Sequence, residues 1–328
     1  MDLATGVEVM KRNTRFGLAL TLGALMGCGG AGTFGDGGDG SSWLVGNAGA
    51  LLSQQAGKLV SRSSRTNADL FSIYCVDRVH GWVSGAGGLI LRSNDGGASW
   101  ISTESGTQAL RAIAFADVSL GVAAGDAGTL LRSEDGGATW SALKSGTTQT
   151  LRAAAFTRDQ SLALVVGDNG TILRSTDGGK SFAPATGYDA PVSTSWVAVK
   201  LAADGKVGFL AGAGGELRLT RDGGATWSDL AKAPAGLHGL SVKGDRTRVI
   251  AVGEGGLVWK SDDQGQTWAK ADTGAASALN AIGFAEGNDL EGWAVGNDST
   301  VLQTVDGAQS WKPLESPIVA NFSAVEDF

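Results

Sequence analysis

One octet recurs at a nearly fixed interval, and that interval leaves few folds open to the chain. Ser93-Asn94-Asp95-Gly96-Gly97-Ala98-Ser99-Trp100 returns, with substitutions, at residues 133–140, 175–182, 220–227, 261–268 and 304–311. The aromatic ends lie 40, 42, 45, 41 and 43 residues apart. A period of about 40–45 residues in a strand-rich chain is one propeller blade of four strands. Composition enters only to exclude disorder: Gly is 52 of 328 residues while Pro is 5. Glycines placed regularly between apolar runs read as tight turns between short strands.

A second column fixes the register. A Gly-x-x-Gly pair precedes each octet at Gly85/Gly88, Gly125/Gly128, Gly167/Gly170, Gly212/Gly215 and Gly253/Gly256, and Gly296 keeps only the first glycine. Gly46/Gly49 gives a seventh copy, with its octet decayed to Gln54-Gln55-Ala56-Gly57. Three residues before each first glycine stands Trp43, Trp82, Val122, Leu164, Phe209, Ile250 or Trp293. One unit parses into an innermost strand at 110–115, a second at 121–124, a third at 129–133 and an outer one at 139–143. The Asp-Gly turn before the outer strand is a strong hairpin signal. Residues 321–325 look like an innermost strand with nothing after it, and residues 41–43 like a second strand with nothing before it. Joined, they complete one blade and leave no open sheet edge. The expected fold is therefore all-β, a seven-bladed propeller of four-stranded antiparallel blades closed by a blade shared between the two ends.

The octet carboxylates Asp95, Asp135, Asp177, Asp222, Asp263 and Asp306 invite a catalytic reading. A local role accounts for them better. An Asp at this place accepts backbone N–H groups of its own turn, the glycines supply turn conformations, and Trp100, Trp140, Trp227, Trp268 and Trp311 bury large rings between sheets. Catalysis needs one asymmetric constellation, not six copies round a rim.

The first residues read as an address. Lys11, Arg12 and Arg15 precede an apolar run at 16–26, too short to span a bilayer comfortably. The run ends Leu25-Met26-Gly27-Cys28, which resembles the bacterial lipobox, with cleavage before Cys28 and acylation of it. Asp2 and Glu8 precede the basic head, so Met10 competes with Met1 as the start. Residues 1–27 are read as signal peptide, 28–40 as a Gly-rich tether reaching roughly 20 Å, and 41–328 as the propeller. Gly29, rather than Asp, after the cysteine points to the outer membrane of a bacterial envelope, on its periplasmic or surface side.

Several function classes fall away. The formal charge of −7 disfavours nucleic acid, which needs a basic surface. Two cysteines and two histidines provide neither a disulfide framework nor a metal-ligand cluster. No cofactor is expected, and the body reads as a monomer. His80 and His238 have no partner residues at metal or catalytic spacing, and Cys75, which stands where Phe115 stands in the next repeat, reads as a small buried apolar residue rather than a reactive thiol.

The octets resemble the Asp-box (BNR) repeat of sialidases and of xyloglucan-cleaving hydrolases. A sialidase needs a tyrosine nucleophile and an arginine triad, and only Tyr74 and Tyr188 exist. Whole repeats such as Gly81-Trp82-Val83-Ser84-Gly85 through Trp100 resemble, over residues 43–328, the photosystem II assembly and stability factor family. That resemblance implies a seven-bladed, often lipid-anchored propeller that is no enzyme, carries an arginine-rich patch and holds protein subunits during assembly; it does not imply a photosystem partner here. Arg92, Arg132 and Arg174 share one column before the octet, and Arg111 and Arg152 another at the start of inner strands. Together they are a candidate binding sector for an unidentified envelope protein or anionic ligand, since arginine recognises carboxylates through two parallel bonds. Inheritance of a structural residue by duplication is the competing reading. The loop at 184–195, with Tyr188, Asp189 and Pro191, is a second candidate. The alternative from another class is a carbohydrate-binding or glycoside-hydrolase propeller.

Overall fold

The computed structural model describes residues 42–185, 193–202, 204–243, 246–285 and 288–327. Cys28, residues 1–40 and Tyr188, Asp189 and Pro191 lie outside these. Seven four-stranded antiparallel sheets make up the body. Their innermost strands are Phe322–Asp327 (blade 1), Leu70–Cys75 (blade 2), Leu110–Phe115 (blade 3), Leu151–Phe156 (blade 4), Trp196–Leu201 (blade 5), Leu237–Val242 (blade 6) and Leu279–Ala285 (blade 7). Each innermost strand touches the next in that order, and Leu279–Ala285 touches Phe322–Asp327, so the ring closes.

Blade 1 is the shared one. Phe322–Asp327 pairs with Ser42–Gly46 in the register Trp43↔Glu326 and Leu44↔Val325, and Leu51–Gln55 and Lys58–Ser61 follow outward. Phe322 and Leu44 are fully buried there. The decayed octet is no octet in space: Gln54 and Gln55 belong to the third strand, and Ala56 and Gly57 form the whole turn, with φ of 47° and 76°. Two left-handed residues between antiparallel strands make a type I′ hairpin, whose twist matches that of the strands. In blade 3 the outer strand is shorter than the 139–143 expected from the sequence: only Ser141–Ala142 is paired.

The second strand of each blade carries the core. Trp43, Trp82, Val122, Leu164, Phe209, Ile250 and Trp293 are all buried. Each sheet packs on both faces, as blades stacked round an axis must. A Cβ added to Gly97 would fall 2.1 Å from the Trp43 ring, and one on Gly224 would fall 2.8 Å from a methyl of Leu164. The bulky residue of one blade thus lies on the second octet glycine of the next, which is why the two sequence columns persist together.

The Gly-x-x-Gly loops bring backbone against backbone. At Gly125 a Cβ would lie 1.9 Å from the carbonyl oxygen of Ala109, just before the inner strand. Gly128 has φ of 69°, and a Cβ there would meet the Thr147 carbonyl at 2.0 Å. Where the pair has lost its second glycine, Ser299 keeps the left-handed backbone, with φ of 60°.

Candidate functional site: two faces of the ring

Inner strands start beside the Gly-x-x-Gly loops and finish beside the turn to the second strand. The octet turns, between third and outer strands, lie at that finishing end. The ring therefore has a Gly-x-x-Gly face and an Asp-box face.

On the Asp-box face each carboxylate is used within its own turn. The Ser93 hydroxyl donates to Asp95 Oδ1 at 2.8 Å, and the Ser99 N–H and hydroxyl donate to its two oxygens at 2.9 and 2.5 Å. The Gly97 N–H donates to Ser93 Oγ at 2.8 Å. Asp135, Asp177, Asp222, Asp263 and Asp306 repeat the scheme. These donors favour the charged form: the Thr139 and Thr267 hydroxyls and N–H groups hold Asp135 and Asp263 down at about 2. The indole N–H of Trp140 and Trp268 donates to the carbonyl of Gly137 and Gly265 in the same box, while Trp100 and Trp227 bury their rings without that bond. Trp311 is half-buried, its N–H also without a partner among the described residues.

The five arginines fall into two groups on opposite faces. Arg132 lies opposite Val122, near the start of the second strand, whereas Arg111 is the second residue of an inner strand whose first, Leu110, lies opposite Gly125, the last residue of the second strand. Arg132 Nε donates to the Gly178 carbonyl at 3.0 Å, and Arg174 Nε to the Gly223 carbonyl at 2.7 Å, each in the octet of the following blade. Arg132 also pairs with Glu134 at 2.6 Å. In blade 2 the indole of Trp82 takes the equivalent carbonyl, that of Gly136, at 2.8 Å. Arg92 is left with no hydrogen-bonding partner among the described residues, its guanidinium close to Gly136. Arg132 and Arg174 thus pin one blade to the next.

On the other face Arg111 grips Asp126 through two bonds of 3.0 and 2.9 Å, and Arg152 grips Asp168 through bonds of 2.5 and 2.8 Å. The guanidinium partners hold both carboxyls below the usual range, and Asp168 raises Arg152 in turn. Arg111 also covers the Phe71 ring at 4.4 Å. The same two places, the second residue of an inner strand and the first residue after the loop's leading glycine, carry His238 and Glu254 at 3.0 Å in blade 6 and Asn280 and Asn297 at 2.9 Å in blade 7. These couplings were readable as paired columns in the sequence, because both positions keep the blade period.

A cavity of about 420 Å³ opens where the inner strands end on the Asp-box face. Arg158, Lys200, Lys243 and Arg248 line it, against Asp289 and Glu326. Sequence reasoning passed these residues over, although Arg158, Lys200 and Lys243 stand 42 and 43 residues apart, one blade period each. They occupy slightly different places at the inner-strand ends, so no aligned column marks them.

A family model for the Photosynthesis system II assembly factor YCF48 matches residues 60–147 and 140–279. No curated protein matches the chain. Among solved structures, YCF48 bound to D1 peptide aligns at 20% identity with a TM-score of 0.60, over 75% of this chain and 80% of that one. YCF48 from Cyanidioschyzon merolae aligns at 18% identity and 0.62, over 77% and 87%. A GH74 enzyme from Niastella koreensis aligns at 17% identity and 0.69; 83% of this chain is covered but 54% of the enzyme. At such identities the solved structures speak for the seven-bladed fold alone. The family match spans well over half of the chain, and with the closed ring and the repeated boxes it makes this chain a member of the YCF48-type assembly-factor family of β-propellers.

Proposed function

We propose that the chain is a non-catalytic binding scaffold that holds a partner protein during assembly, tethered to a bacterial envelope membrane through acylated Cys28. The observation that carries this reading is the family match over residues 60–279. Two features support it. The six repeated carboxylates accept hydrogen bonds inside their own turns, so the motif that most resembles hydrolases works as a hairpin clamp. A relative has been solved with a peptide bound, so a propeller of this family can take a protein segment. No photosystem partner is part of the proposal.

The candidate docking groups are the arginine columns, and the two faces make them separate candidates. Arg92, with Arg132 and Arg174 beside it, serves the Asp-box side; Arg111 and Arg152 serve the other. The test is a mild-detergent pull-down of the intact chain from membranes with mass spectrometry of its companions. A reproducible set of envelope proteins, reduced by joint substitution of Arg111 and Arg152 or of Arg92, Arg132 and Arg174, supports the scaffold and assigns its face. A partner set unchanged by both substitutions removes the arginines from the reading, and no specific companion at all removes the scaffold. Palmitate labelling lost in Cys28→Ala tests the anchor.

A glycoside hydrolase is the second reading, favoured by the likeness to the GH74 fold and by two carboxylates, Asp289 and Glu326, at one cavity. Glycosidases act through such a pair. Release of reducing sugar from xyloglucan, abolished by Asp289→Asn, would replace the scaffold reading with this one.

A further inference from the structure

The cavity on the Asp-box face has chemistry that the scaffold reading does not use. Its volume of about 420 Å³ falls within the range of roughly 300–1,000 Å³ usual for small-ligand sites. Four cationic side chains line it against two carboxylates, on a chain whose formal charge is −7. Cations gathered in a concavity with low-dielectric walls focus a positive potential there.

Most of that charge is already engaged. Lys243 lies 3.5 Å from Asp289. Arg248 pairs with Asp262 at 2.8 Å and donates to the Asp289 carbonyl at 3.0 Å. Arg158 and Glu326 also have intrachain interactions. Lys200 differs: it is exposed at the cavity and has no ion-pair or hydrogen-bonding partner among the described residues. One uncompensated ammonium suits one singly charged head group. Val242 and Ile250 of blade 6 and Ile282 and Phe284 of blade 7 form one apolar stretch of the wall, beside Tyr74 and Ser241. Ile250 and Ile282 are buried, while Val242 and Phe284 are half-buried and present surface to whatever enters.

We propose that this cavity binds an amphipathic organic carboxylate, its head on Lys200 and its apolar part against Val242 and Phe284. The carboxylate has two possible sources, a free acid or an acidic side chain flanked by apolar residues in a polypeptide. Neither depends on the arginine columns, so this site stands or falls separately from the scaffold.

Calorimetric titration of the full chain tests it with three probes: octanoate, 1-octanol, and an acetylated, amidated peptide carrying one glutamate between leucines. Saturable 1:1 binding of octanoate or of the peptide is expected, about tenfold or more weaker in Lys200→Glu and retained in Lys200→Arg. Octanoate binding assigns the free acid; binding of the peptide alone assigns a polypeptide side chain. Lys200 is exposed, so both variants are expected to keep the wild-type melting temperature, which is measured alongside. Absence of saturable binding by both anions overturns the proposal. So does binding undiminished in Lys200→Glu, or octanol binding as tightly as octanoate.

Discussion

The indole N–H of Trp82 in blade 2 donates to the carbonyl of Gly136 in the octet turn of blade 3, at 2.8 Å. The same ring stacks on Phe115 of blade 3, with centroids 3.7 Å apart and planes at 11°. One residue thereby supplies both the apolar contact and the polar bond that hold two blades together. Trp82→Phe is expected to cost about 1–3 kcal/mol, because it leaves a buried carbonyl without its donor. Trp82→Ala is expected to cost about 3–5 kcal/mol from the cavity it opens. Urea unfolding of both variants measures the difference.

Gly128→Ala should be worse than its size implies. The left-handed backbone alone costs about 1 kcal/mol for alanine, and the new Cβ would stand 2.0 Å from the Thr147 carbonyl. A loss of about 3 kcal/mol or more is expected in chemical denaturation. Gly146→Ala, also left-handed but with open space around it, should lose only the conformational part.

Removing residues 322–328 takes the innermost strand from blade 1 and exposes Leu44, whose backbone pairs with Val325. Two neighbouring blades lose their packing partner at once. Since whole domains are stable by only about 5–15 kcal/mol, the truncated chain is expected not to fold cooperatively. A melting transition of normal sharpness would show that the ring does not depend on this closure.

Acid should loosen the hairpin clamps. Asp135 and Asp263 titrate at about 2 in the folded chain, below the ordinary value of 3.8. A carboxyl lowered on folding stabilises fully above its unfolded value and loses that contribution as pH falls towards its folded one. The stabilisation is therefore present at pH 5 and fades between about pH 4 and 2. Urea midpoints should drop across that window, and the slope should lessen in Asp135→Asn combined with Asp263→Asn.

The bidentate pair of Arg152 and Asp168 is partly exposed, so its net worth is small. A double-mutant cycle with Arg152→Gln and Asp168→Asn is expected to give a coupling of about 0.5–1 kcal/mol that shrinks in high salt.

The blade period, the strand order and the closing blade were legible in the sequence because each follows from local chemistry that repeats. An octet needs its own Asp and glycines wherever it occurs, and a Gly-x-x-Gly loop needs its glycine wherever backbone crosses backbone. Residues 321–325 and 41–43 could be joined on paper because each was half of a known unit. The decayed octet misled for the same reason: Gln54 and Gln55 align with a turn, but a two-residue hairpin with Ala56 and Gly57 left-handed absorbs them into a strand. Alignment of residues says which positions are equivalent, not where they point in space. Arg132 and Arg111 looked like one sector because both belong to blade 3, yet strands only a few residues long carry them to opposite faces. The cavity was invisible for the complementary reason. Arg158, Lys200, Lys243 and Arg248 come from three blades and from unaligned places, and only closure of the ring brings the ends of those strands round one axis. The sequence by itself determined the repeating unit, because that depends on contacts within about 45 residues, and the number of units, because each copy carries its own glycine columns. The tertiary structure decided which charges share a face and which are spent on one another, because that depends on contacts made only when the ring is shut.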